Sequence, residues 1–189
     1  MAELDVQPTA TAQWRSLVQR AGRACDARLD EPVEAYLVFM LMRFSDRTGV
    51  GGRALALEFL QALQQSVQSA APRLRDTGDE CLLVCGLFPQ RVRRRRVPLS
   101  YYVELGRGAY GTLASHGAAS ETEPFDALAS DFLVIMEVLQ AMRGDDARPE
   151  LSAVEAAELA RRTGSSRAWD RVRTSDGFLA PDDGSDLPH

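Results

Sequence analysis

Three glycines at positions 106, 108 and 111 form the pattern Gly-x-Gly-x-x-Gly. In a dinucleotide-binding fold this pattern follows a strand, opens a helix and brings backbone N–H groups against a pyrophosphate. "YYVEL" before the motif is compatible with a strand, but the segment after it makes a poor crossover helix. Apolar residues recur at helical spacing through the motif instead: Tyr102, Leu105, Ala109 and Leu113. We therefore expect a helix whose small residues Gly108, Gly111 and Ala114 let a neighbouring helix approach closely.

A run of four arginines, residues 93–96, forms a basic island in an acidic chain of net charge −5. Residues 91–116 carry six arginines and one glutamate, whereas residues 117–189 carry fifteen acids and seven arginines. Arginines with nearby aromatic rings bind nucleic-acid phosphates and stack on bases, and they also anchor protein interfaces. Because the chain as a whole is acidic, a protein partner or another copy of the chain is favoured over nucleic acid.

We define the arginine–tyrosine surface as the set of side chains predicted to dock that partner. Its members are Arg91, Arg93, Arg94, Arg95, Arg96, Tyr101, Tyr102 and Arg107. We therefore predict a non-catalytic regulatory or partner-binding protein. In one version of this hypothesis the protein also forms a homodimer. The first alternative is a nucleic-acid-binding regulator. The second is a helical enzyme or ligand-binding protein with a pocket lined by Tyr101, Tyr102, Tyr110 and His116.

The three cysteines and two histidines are too few for most metal sites. Cys81 and Cys85 lie four residues apart, so a helix would place both thiols on one face. A structural zinc site needs four ligands, however, and Cys25 and His116 would have to converge on the pair to complete it. Cysteines in an apolar helix are usually small core residues. We therefore predict no metal ligand and no cofactor site.

The absence of two residue types excludes several classes of function. The chain contains no lysine, which rules out a Schiff-base enzyme, a pyridoxal phosphate anchor and a P-loop lysine. It contains no asparagine, which rules out N-glycosylation. We assign no catalytic residue.

Helical periodicity dominates the chain and predicts one all-α domain of about seven helices over residues 1–180, followed by a disordered tail at 181–189. Pro72 is expected to end the helix that contains Leu55 and Phe59, and a separate short helix is expected over 78–88. Helices at 32–46 and 124–142 are expected to form the centre of the core. The first of these is apolar nearly all round, with Phe39 on its second apolar side.

The predicted location is the cytoplasm. The first fourteen residues are acidic and polar, unlike a signal peptide. The longest strongly apolar run, "AYLVFMLM" at 35–42, is too short to span a bilayer. An odd number of cysteines fits a reducing compartment better than a disulfide scaffold.

Two resemblances add to this interpretation. Residues 156–172, "AAELARRTGSSRAWDRV", resemble a DNA-binding helix-turn-helix, although Ser165 stands where that family has an apolar residue. The stretches "GDECLLVCGLFPQR", "YYVELGRGAYGTLA" and "RRTGSSRAWDRV…GFLAP", within residues 78–181, together resemble a family of uncharacterised bacterial helical proteins. That resemblance implies an all-helical fold and no particular activity, cofactor or partner. It also favours a structural helix joint at "RTGSSRAW" over a DNA reader.

Overall fold

The computed structural model describes residues 9–45, 55–64, 67–89, 91, 97–116, 119–143, 157–158 and 160–162. The chain groups into two compact units, residues 1–149 and 150–189. The described residues are mostly helical and contain no strand, which confirms the predicted all-α class. The predicted domain over 1–180 and the predicted tail at 181–189 extend outside the described residues and stay predictions.

Seven helices of nine or more residues lie in the described part of the first unit. They are α1 (Ala10–Ala24), α2 (Glu31–Ser45), α3 (Leu55–Leu63), α4 (Val67–Gly86), α5 (Leu99–His116), α6 (Ala119–Ser130) and α7 (Phe132–Ala141). The number agrees with the prediction of about seven. None of the described helices is long and apolar enough to cross a lipid bilayer. In the second unit, residues 157–158 and 160–162 are helical, and the rest of the predicted helix-turn-helix lies outside the described residues.

The most extensive helix packing joins α4 to α5. α4 also contacts α3 and α7, α1 packs on α2 and α7, and α6 packs on α2 and α5. The predicted central helices do supply fully buried side chains, such as Leu37 from α2 and Leu139 from α7. The expected centre nevertheless has to be corrected, because α4 is buried on every side from Thr77 to Gly86.

The predicted break between a helix ending at Pro72 and a second helix starting near 78 is wrong. α4 runs through both positions, from Val67 to Gly86. Pro72 is the sixth residue of α4, so its missing N–H removes one hydrogen bond of the second turn only. Gly78 does not begin a new helix; it lies inside α4 and brings α4 close to α5, since a Cβ there would lie 2.6 Å from the Tyr110 ring.

The predicted helix over 124–142 is divided at Asp131 into α6 and α7. The hydroxyl of Ser130 donates to the carbonyl oxygens of Asp126 and Ala127, at 3.0 and 3.2 Å, and such back-bonding bends helices. The guanidinium Nε of Arg107 donates to the Ala129 carbonyl at 3.0 Å. This bond from α5 satisfies a carbonyl at the end of α6, where a helix lacks its own donors.

The glycine motif lies inside α5, which agrees with the helical interpretation. The glycine that allows close packing is Gly106: a Cβ there would lie 2.6 Å from the Phe132 ring and 2.9 Å from the Cβ of Cys81. A Cβ at Gly108 would lie 3.4 Å from Phe59, and one at Gly111 would meet nothing within 4 Å. The prediction that Gly111 permits a close helix approach is therefore wrong.

Candidate functional site

The described members of the arginine–tyrosine surface differ in exposure. Arg91 is exposed, and its guanidinium carbon lies 4.7 Å from the centre of the Phe88 ring. Tyr101 is half-buried, and burial raises the pKa of its hydroxyl. Tyr102 is only 6 % exposed, with its ring edge-on to Tyr101 at 5.4 Å. Tyr102 therefore supports Tyr101 from inside and presents almost no surface to a partner.

The remaining members of the arginine–tyrosine surface are Arg107 and the four arginines at 93–96. Arg107 is half-buried and holds α5 to α6 through the Ala129 carbonyl, so its Nε is already used within the fold. Residues 93–96 lie outside the described residues. The arginine–tyrosine surface as a docking site stays a prediction.

The four side chains suggested for a ligand pocket have very different environments. Tyr110 is fully buried, whereas His116 is exposed at the end of α5, with Nδ1 2.9 Å from the Thr112 carbonyl oxygen. Tyr101 and Tyr102 lie at the start of the same helix, about two turns from Tyr110 and about four turns from His116. Tyr110 and His116 therefore do not line one common cleft with the other two.

Cys81 and Cys85 are fully buried in α4, as expected for core residues. Burial raises the pKa of both thiols, which disfavours the thiolate that a metal would need. Among the described residues, no three His, Cys, Asp or Glu side chains come together as a metal site would require.

A buried carboxylate forms a polar cluster that the sequence analysis did not anticipate. Asp79 of α4 is fully buried. Its Oδ1 accepts hydrogen bonds from the hydroxyls of Tyr36 at 2.6 Å and Tyr110 at 2.7 Å. Its Oδ2 forms an ion pair with Arg43. These partners come from α2 and α5, so the Asp79 cluster joins three helices and leaves the buried charge both paired and hydrogen-bonded, as burial of a charge requires.

Aromatic rings surround the Asp79 cluster. Tyr110 stacks on Phe125 at 6.1 Å, and Tyr36 is edge-on to the same ring at 5.8 Å. The exposed Arg75 lies over Tyr36 and Phe125, 5.9 and 5.6 Å from the ring centres. Burial raises the pKa of Tyr36 to about 12, although Arg75 and Arg43 act to lower it. The Asp79 cluster is therefore closely packed, and its tyrosine hydroxyls keep their protons. The cluster stabilises the fold.

The outer face of α3 contrasts with the buried polar Asp79 cluster, because large apolar side chains there lie in solvent. Leu57, Leu60 and Leu63 are 55, 56 and 49 % exposed. Their spacing of three residues places them within about 120° around the helix axis. We call these three side chains the leucine face.

The leucine face is separate from the side of α3 that packs on the fold. Leu55 and Ala62 are buried on that inner side, and Phe59 lies near Gly108 of α5. The inner residues recur at spacings of four and three, as expected for a helix that packs on a core. The leucines of the outer face contribute little to that packing. Glu58 is the one charged side chain of α3, so the leucine face carries no charge.

The sequence predicted a helix containing Leu55 and Phe59, but the second apolar face of that helix was not predicted. The signal was available: "LALEFLQAL" contains four leucines and one charge, which is more apolar than one packed face of a short helix needs. No comparable local signal marks Asp79, since its partners Tyr36, Arg43 and Tyr110 lie more than thirty residues away.

Comparison with protein-family models, curated proteins and solved structures finds no match to this chain. The resemblances described for residues 78–181 and 156–172 therefore stay predictions.

Proposed function

We propose that the chain is a non-catalytic, partner-binding helical protein, and that its partner presents an apolar helix face flanked by acidic side chains. The observation that carries the proposal is the leucine face of α3. Single exposed leucines are ordinary on soluble proteins, but contiguous apolar side chains on one helix face are typical of interaction sites. A helix laid beside α3 would remove all three leucines from water at once.

The charge distribution of this chain supports the proposal that the partner carries acidic side chains beside its apolar face. Residues 91–116 carry six arginines and one glutamate. Five of these arginines precede α5, which contacts α3 and itself carries Arg107 and Glu104. A partner with carboxylates beside its apolar face is attracted by this basic segment, and such attraction mainly raises the association rate and the specificity.

A synthetic helical peptide tests the proposal. The peptide carries leucines on one face and glutamates on the other, and a fluorescent label reports binding through anisotropy. We expect saturable binding that weakens as salt rises, because the charged contacts are solvent-exposed. Leu57→Ser combined with Leu60→Ser should weaken binding roughly fivefold to thirtyfold, since burying two half-exposed leucines contributes about 1–2 kcal/mol.

The matched control is Phe39→Ser, which removes a similarly exposed apolar side chain from α2, where Phe39 is 63 % exposed. This variant should bind the peptide as the parent protein does. Absence of binding by the parent protein, or equal binding by the double leucine variant, would overturn the proposal.

The same assay, with a labelled DNA duplex at two salt concentrations, distinguishes the nucleic-acid alternative from the proposed protein partner. We expect the duplex to bind more weakly than the acidic peptide. Tighter binding of the duplex, lost when Arg93, Arg94, Arg95 and Arg96 are changed to alanine, would replace the protein partner with nucleic acid.

A further inference from the structure

We infer that α3 opens as a local unit: it unfolds and leaves α4 and α5 while the other helices of the first unit stay folded. α3 is then a two-state element that presents the leucine face only in its closed, helical state. Opening of this kind is a property of the free protein and does not depend on the proposed partner.

Few side chains hold α3 to the fold. Of its nine residues, Leu55 and Ala62 are buried, and Ala62 has a small side chain. Phe59, the aromatic residue of α3, is half-buried. In contrast, α5 buries nine of its eighteen residues and α7 buries five of ten. An element with few buried apolar contacts opens at a lower free energy than the core does.

α3 is also too short to stay helical without that packing. Helices of fewer than about 12–15 residues are marginal by themselves in water, and α3 has nine residues. Its helical hydrogen bonds therefore depend on its contacts with α4 and α5. Because helix formation is cooperative, loss of these contacts should unfold α3 as a whole.

α1 shows what holds another sparsely buried helix in place. It buries three of its fifteen residues, but it is longer than α3 and packs on both α2 and α7. Polar contacts join it to both neighbours. The Gln19 amide donates to Glu34 of α2 at 2.8 Å, and the thiol of Cys25, directly after α1, lies 3.6 Å from the Glu137 carbonyl oxygen of α7. We therefore expect α1 to be better protected from opening than α3.

The centre of the fold does not rely on α3. The most extensive helix packing joins α4 to α5, and Asp79 of α4 binds the hydroxyls of Tyr36 in α2 and Tyr110 in α5. These contacts do not have to break when α3 leaves. Opening of α3 should therefore precede global unfolding.

Local opening links the order of α3 to binding at the leucine face. A helix docked on the three leucines binds the closed state and not the opened one, so it shifts the equilibrium towards the closed state. At a peptide concentration of about one hundred times the dissociation constant, opening of α3 should become about a hundredfold rarer.

Hydrogen–deuterium exchange of the free full chain tests the local opening. Residues 55–64 should be at least about tenfold less protected than residues 79–86, because they exchange without global unfolding. Ala62→Gly should speed exchange in α3 by about fivefold, since glycine disfavours the helix. The matched core variant is Ile135→Val at a fully buried position of α7. It should speed exchange in residues 79–86 by roughly twofold to tenfold and leave residues 55–64 unchanged.

Equal protection of the two segments, or an equal effect of Ile135→Val on both, would mean that α3 opens only when the whole protein unfolds and would reject the inference. Local opening that the peptide of leucines and glutamates fails to suppress would leave the inference standing and reject the proposed function. Suppression of exchange by the peptide in an α3 that opens only globally would reject the inference and retain the proposed function.

Discussion

Asp79 and Leu60 each occupy a place that is unusual for their residue type. Asp79 is a carboxylate with no exposure, and Leu60 is a leucine with more than half of its surface in solvent. The fold compensates the first exception, because Tyr36, Tyr110 and Arg43 satisfy the buried charge. The residues of the leucine face, in contrast, stay about half exposed to solvent. The contrast separates a polar group that stabilises the interior from an apolar group available for binding.

Removal of the Asp79 carboxylate should have the largest effect on the stability of the fold. Asp79→Ala should lower the free energy of unfolding by about 3–5 kcal/mol, because Arg43 and two tyrosine hydroxyls lose their acceptor. Urea denaturation measures the change. The matched controls are Asp126→Ala on the exposed side of α6 and Leu60→Ser, which should both stay within about 0.5 kcal/mol of the parent protein. A loss at Leu60 as large as that at Asp79 would show that the leucine face belongs to the core.

Alkaline pH should weaken the Asp79 cluster without affecting the leucine face. Burial raises the pKa of Tyr36 to about 12 in the folded protein, whereas in the unfolded chain it is about 10. The folded state therefore holds a proton that the unfolded state releases, and stability falls as pH rises from about 10 towards 12. The loss from Tyr36 is on the order of 2 kcal/mol.

Urea denaturation between pH 9 and 11.5 measures this dependence. Tyr36→Phe, which has no phenol to titrate, should show a shallower decline across the same range. An identical decline in the two proteins would show that Tyr36 does not set the alkaline limit.

Substitution of two glycines of α5 by alanine should change the stability of the protein by smaller amounts and in opposite directions. Gly106→Ala should destabilise the protein by about 1–3 kcal/mol, because the new methyl group overlaps the Phe132 ring and the Cβ of Cys81. Gly111→Ala should stabilise it by about 0.5–1 kcal/mol, since the site is open and alanine favours the helix. Urea denaturation of both variants checks the signs. Destabilisation by both would mean that α5 is packed closely at Gly111 as well.

The helices could be predicted from the sequence where one apolar face repeats every three or four residues. α1, α2 and α5 follow this pattern, and the glycine motif was assigned to a helix for the same reason. The predicted break failed because Pro72 was interpreted as the end of one helix and residue 78 as the start of another. Pro72 lies near enough to the start of α4 to be tolerated, and Gly78 serves the packing of Tyr110, which lies thirty-two residues away.

The candidate site was less predictable than the fold. Asp79 lies in a segment for which only a helix was predicted, and it is the packing of α2 and α5 that buries it. Phe39 was expected to cover a second apolar side of a buried helix, but it is 63 % exposed. Apolar composition shows how much surface a helix can bury, whereas the arrangement of the other helices decides which side is buried.

Hydrogen–deuterium exchange of the full chain, with and without the synthetic peptide of leucines and glutamates, would locate the binding surface. We expect slower exchange in residues 55–64 when the peptide is bound, and unchanged exchange in the Thr77–Gly86 part of α4, which contains Asp79. Leu57→Ser combined with Leu60→Ser should abolish that protection. Protection in α2 around Phe39 with none in α3 would contradict the claim that the leucine face is the binding surface.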